Sequence, residues 1–184
     1  GFTPVLCTQT PGGVTEDDYI ELLLERGVSG IVFISGLHAD TAADHTRYHA
    51  LVERGLPVVF VNGRIDDLEA PFISDDDAVA MDLAVVHLAS LGHTRIGLAV
   101  GPERFIPVIR KIRGFTAALG GRLDLTAEEA KAWIAHSLYS VEGGQAAAGR
   151  LLAQGATALV CGSDLMALGA IRAARSRGLR VPDD

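Results

Sequence analysis

Short apolar runs alternate along the chain with longer segments in which apolar residues return every three or four positions. The runs are 3–8 (TPVLCT), 30–35 (GIVFIS), 57–62 (PVVFVN), 95–100 (RIGLAV), 133–137 (WIAHS) and 157–162 (TALVCG), with 71–74 (PFIS) a weaker seventh. Rich in β-branched residues and apolar almost throughout, they predict parallel strands covered on both faces. The segments between them predict helices. The first covers 15–26, with Ile20, Leu23 and Leu24 on one face, Thr15 as N-cap and Gly27 as stop. Others are expected near 40–54, 77–91, 106–119, 142–154 and 164–177, followed by Gly55, Gly92, Gly120, Gly155 and Gly178. The polar stretch 121–133 predicts one more turn of helix.

This rhythm is that of βα units around parallel sheets, an α/β fold. It divides into a first set over 1–92 and a second over 93–184, hence two lobes. Ligands of open α/β sheets settle beyond the carboxyl ends of the strands, so two such lobes predict a cleft.

With 184 residues, 48% of them hydrophobic and 21% charged, the chain has enough apolar material for a buried core, which excludes intrinsic disorder and fibrous repeats. The net charge of −7 is repelled by phosphate backbones, so any DNA-gripping surface is expected outside these residues. Cys7 and Cys161 both sit in apolar runs, where a thiol acts as a small buried hydrophobe, and this suits a reducing cytoplasm. No apolar stretch is long enough to span a bilayer, and no membrane partner is expected. The last residues, RVPDD, follow a helix where another strand is due, so the chain reads as a fragment.

Signatures of hydrolases, NTPases and dehydrogenases (GxSxG, GxxxxGK[ST], GxGxxG after a strand, HExxH, CxxC pairs) are missing. His45 and His49 have the one-turn spacing of metal ligands, but Arg47 and Tyr48 between them read as a solvated face. Asp75, Asp76 and Asp77 open a helix, where carboxylates meet free N–H groups, and Ser163 with Asp164 opens another at the carboxyl end of a strand. Arg104, Arg110, Lys111 and Arg113 gather after the 95–100 run, and helical geometry keeps Arg110 and Lys111 from facing the same way. Tyr139 follows 133–137 and suits either an aromatic platform for a sugar ring or a cover for the sheet edge.

The segments LLERGVSGIVFIS, PVVFVNG, SDDDAVAMDLAVVHLASLGHTRIGLAVGP, RKIRGF and GSDLMALGAIRAARSRGLRVPDD together resemble the LacI/GalR family of bacterial transcription repressors over essentially the whole chain. The resemblance implies two Rossmann-like lobes of the type I periplasmic-binding-protein-like fold, a homodimer, and a small effector in the cleft, a sugar or nucleoside. It implies no cofactor and no catalysis. Operator DNA would be held by an N-terminal helix-turn-helix that is not in this chain, and the first strand and helix and the last strands of the core would also lie outside it.

Carried onto these residues, the family pattern puts an effector-stacking ring at Tyr139 and polar contacts at Ser163 and Asp164. Its pocket arginine falls on Lys111, with Arg110 before it and Arg104 nearby, so a point cation replaces a planar fork. Its Asp-Asn pair falls on Asp76 and Asp77, with Asp76 as the cleft contributor and Asp77 as the substitution. Effector binding is expected to move the lobes about Gly92 and His93, with a coupling of about 1 to 3 kcal/mol. Two rival readings are a periplasmic solute-binding protein feeding a sugar transporter and a sugar-modifying enzyme using Asp76, Asp164 and His136.

Overall fold

The computed structural model describes residues 1–9 and 13–184. Its elements run α1 (Glu16–Glu25), β1 (Ile31–Ile34), a 3₁₀ turn (Leu37–Ala39), α2 (Thr46–Glu53), β2 (Val58–Val61), β3 (Phe72–Ile73), α3 (Asp77–Ser90), β4 (Ile96–Val100), α4 (Ile106–Leu123), α5 (Ala127–Lys131), β5 (Ile134–His136), α6 (Val141–Ala153), β6 (Ala158–Cys161) and α7 (Asp164–Arg175). The strands form two parallel three-stranded sheets, in the orders β1-β2-β3 and β5-β4-β6. The chain divides into compact units Gly1–Ser74 and Asp75–Asp184, one sheet in each.

Capping chemistry sets most helix ends. Thr15 and Asp18 make a capping box at α1, Thr126 and Glu129 another at α5, and Ser140 and Ser163 cap α6 and α7. Gly27, Gly55, Gly92, Gly155 and Gly178 take left-handed conformations past their helices. Gly120 does not stop α4. The helix runs through it to Leu123 because Leu119 and Leu123 anchor in the core, and packing outweighs propensity there; it ends at Asp124, itself left-handed at φ +57°.

Four other expectations change. Residues 3–8 form no strand and are largely exposed, Leu6 at 88%, because among the described residues no strand lies alongside to exchange hydrogen bonds with them. The helix expected near 40–54 begins only at Thr46, since Asp44 accepts from the Thr46 N–H and hydroxyl and starts it there. Strand β1 is not covered on both faces: Ile31 and Phe33 are buried while Val32 and Ile34 are 61% and 69% exposed. The division of the chain falls before α3 rather than after it, because α3 packs on α4. A Cβ on Gly114 of α4 would lie 2.7 Å from Ala78 Cα of α3, so the two helices touch backbone to backbone. Gly92 and His93 therefore lie within the second unit, where His93 Nδ1 is 2.9 Å from Thr157 Oγ1.

The first unit is built on Phe33, Tyr48 and Phe60, with Phe33 and Phe60 stacked at 5.2 Å and Tyr48 edge-on to both. Set among these rings is a buried polar group. The Tyr48 hydroxyl donates to Glu16, which also accepts from the Leu37 N–H, and burial followed by this carboxylate pushes the phenol far above its ordinary range. His38, fully buried, lies 3.0 Å from the Val61 carbonyl through Nε2. A carbonyl only accepts, so Nε2 carries the proton and Nδ1 is left a bare lone pair with no partner among the described residues.

Burial holds the His38 pKa below 6.5, although the Val61 bond and Glu16 pull the other way. Below pH 6.5 the unfolded chain therefore binds a proton that the folded one refuses. Stability is fully present above that pH and falls as the pH drops toward the folded-state value. Thermal melts between pH 7.5 and 5, in steps, are expected to show this decline in the native chain and a flatter profile in His38→Gln.

Candidate functional site

In the second unit the central strand β4 is buried at all five positions, and the peptides that follow β4, β5 and β6 meet at the carboxyl end of the sheet. Ser137 N–H donates to the Val100 carbonyl at 2.9 Å and Gly162 N–H to the Ala99 carbonyl at 2.8 Å, which ties the turn after β5 and the turn after β6 to the end of β4. Tyr139 lies over this junction. A Cβ on Gly101 would come within 2.6 Å of its Cζ and 2.9 Å of its Cδ2, and one on Gly162 within 3.3 Å of its Cε1. The ring rests on two residues without side chains and stays 39% exposed. Burial raises the Tyr139 phenol above its ordinary pKa, with a further push from Asp77 and an opposing hydrogen bond from the Gly101 backbone.

Asp77, the first residue of α3, is buried at 7% exposure and forms an ion pair with Lys111 of α4. The close contact at Gly114 and Ala78 explains the pairing. Lys111 lies one turn before Gly114 and Asp77 one residue before Ala78, so packing the helices at that point brings the two charges together. Asp76 is spent differently: its Oδ1 accepts from the Ala78 and Val79 N–H groups, both at 3.1 Å, as the exposed N-cap of α3.

Of the residues singled out from the sequence, Tyr139, Lys111 and Asp77 all fall in the second unit, Lys111 and Asp77 as an ion pair. Ser163 caps α7, its Oγ accepting from the Met166 N–H at 3.3 Å, and it directly follows Gly162; Asp164 beside it is exposed. Arg110 is half-buried and Arg104 exposed, its guanidinium 5.1 Å from the Phe105 ring. Sequence reasoning missed Gly101 and Gly162, whose role depends on the ring that crosses the chain onto them. It also missed the buried place of Asp77, hidden inside a run of three aspartates that capping already explains.

The remaining candidates have local roles. His45 Nε2 is 3.1 Å from the carbonyls of Leu37 and Asp40, and His49 is 3.6 Å from Asp67. Both cysteines are free and half-buried, and burial pushes the Cys161 thiol up to about 11. No helix among the described residues is long and apolar enough to cross a membrane.

Residues 4–184 match the family described as periplasmic binding proteins and the sugar binding domain of the LacI family. Among curated relatives, the HTH-type transcriptional regulator MalR of Streptomyces coelicolor is 60% identical over 185 residues, covering 100% of this chain and 54% of that protein. The chain spans about half the length of the curated relatives it matches. Among solved structures, a LacI family regulator from Enterococcus faecium with bound ribose superposes with a TM-score of 0.76 at 25% identity, covering 92% of this chain and 61% of that one. The regulator CelR in complex with cellobiose does so with 0.72 at 26%, covering 92% and 52%. The α/β architecture with parallel sheets is thus periplasmic-binding-protein-like, and the chain belongs to the LacI family, within its sugar-binding domain.

Proposed function

We propose that this chain is the effector-sensing core of a transcription regulator, and that the strand ends of its second unit hold part of the site for a small uncharged sugar or nucleoside. The observation that carries this reading is Tyr139, one side of its ring seated on Gly101 and Gly162 and 39% of its surface left open. A ring held flat and half exposed is a stacking platform for a pyranose, furanose or base. The charges nearby agree. Lys111 is neutralised by Asp77, and Asp76 and Asp164 add exposed carboxylates at the starts of α3 and α7, so hydroxyl groups are welcome and phosphate groups are not.

In this reading the regulator is a cytoplasmic homodimer whose operator contacts come from a helix-turn-helix outside this chain, and effector preference for one arrangement of the units shifts DNA affinity. It acts without turnover. MalR carries a regulator's name and the ribose and cellobiose complexes are regulators as well, which favours this reading over a transporter's solute-binding protein.

Calorimetric titration of the full-length regulator with ribose, cellobiose and other neutral mono- and disaccharides, repeated with phosphorylated sugars, tests it. A neutral ligand is expected to bind, to change operator affinity in a gel-shift assay, and to bind Tyr139→Ala about 1 to 3 kcal/mol more weakly. If every saccharide and nucleoside left operator affinity unchanged, or Tyr139→Ala bound as tightly as the native protein, the assignment would fall.

A further inference from the structure

We infer that His136 and Gly101 are positioning residues for Tyr139: the His136 ring fixes the Gly101 carbonyl, and Gly101 in turn sets the plane in which the Tyr139 ring lies. This rests on the proposed role of Tyr139 in contacting effector. His136 is the last residue of β5, and its Nδ1 is 2.9 Å from the Gly101 carbonyl oxygen, at the end of the neighbouring strand β4. Since that oxygen only accepts, Nδ1 bears the hydrogen and the tautomer is set. His136 is itself held, because Arg150 Nη2 donates to its carbonyl at 2.6 Å.

Gly101 has two tasks at one residue. Its carbonyl is tied to His136, and its Cα is the floor under Tyr139, where any side-chain carbon would stand 2.6 Å from Cζ. A residue free of Cβ is free to turn, and here the His136 N–H removes that freedom. Loss of the donor lets the Gly101 peptide reorient, and the ring above it follows.

The test uses the full-length regulator labelled with 3-fluorotyrosine, in which Tyr139→Phe identifies the Tyr139 resonance by fluorine NMR. Ribose and cellobiose are the probes for affinity by calorimetry. His136→Ala is expected to shift the Tyr139 resonance and to weaken the saccharide that binds by about three- to tenfold, the loss of one hydrogen bond. His136→Asn places an amide N–H where Nδ1 was, and should restore both the resonance and the affinity to within about twofold of the native protein. Gly101→Ala should displace the resonance further and weaken binding by more than about tenfold.

An unmoved Tyr139 resonance in His136→Ala, or a failure of His136→Asn to restore it, overturns the inference. If Gly101→Ala does not fold, the two His136 variants decide the matter alone. A resonance that moves with His136→Ala and returns with His136→Asn, in a protein whose saccharide affinity ignores Tyr139→Ala, upholds the positioning and sinks only the effector role.

Discussion

Gly169→Ala is expected to lower the unfolding free energy by about 3 kcal/mol, the upper end for over-packing. Helices α6 and α7 meet through glycines: a Cβ at Gly169 would run into the Val141 carbonyl and stand 2.5 Å from Gln145 N and 2.9 Å from Gly144 C. All three obstacles are backbone atoms of α6, so no rotamer change relieves the clash, and the helices must separate. Separation strips contacts from Ala147, Ala148, Ala170 and Ala173, all buried in the same region. Trp133, the single tryptophan, packs against the cores of the second unit and reports on it. Urea titrations followed by its fluorescence should place the Gly169→Ala midpoint well below that of the native chain; a shift worth less than about 1 kcal/mol would mean that the seam is loose.

Glu16→Ala is expected to cost about 3 kcal/mol as well, by a different route. Glu16 is 9% exposed and serves two donors, the buried Tyr48 hydroxyl and the half-buried Leu37 N–H, which removal of the carboxylate would leave without this acceptor. Glu16→Gln keeps one acceptor oxygen and should recover part of the loss. Tyr48→Phe tests the same bond from the other side: combined with Glu16→Ala it should cost less than the sum of the two single changes, because the donor that Glu16→Ala strands is gone. Strict additivity in circular-dichroism melts would show that the pair does not interact.

How far the sequence could be read depended on whether the deciding partner lay nearby in the chain. The ends of α1, α6 and α7 follow from Thr15, Ser140 and Ser163 and from the glycines after each helix, all within four residues of what they cap. The two parallel sheets follow from the apolar runs, and the family from motifs spread along the whole chain. Gly120 misled because its surroundings are tertiary, with Leu119 and Leu123 carrying α4 across it. The exposed 3–8 run has strand-like residues, and a strand also needs a neighbour. At the candidate site Tyr139 was legible as an aromatic after a strand. Its seat was not, since Gly101, His136 and Gly162 belong to three separate strand ends. Asp77 and Asp76 look alike in sequence, and only the contact of α3 with α4 distinguishes them.

Strand β4 has a neighbour along each edge and no exposed residue. Its amide protons can reach solvent only when the entire second unit opens, whereas the turn carrying Ser137 to Tyr139 can loosen by itself. The domain thus contains its own reference clock. Deuterium uptake that changes in the turn while β4 keeps its pace marks a local event, and uptake that changes in both marks a gain or loss of global stability.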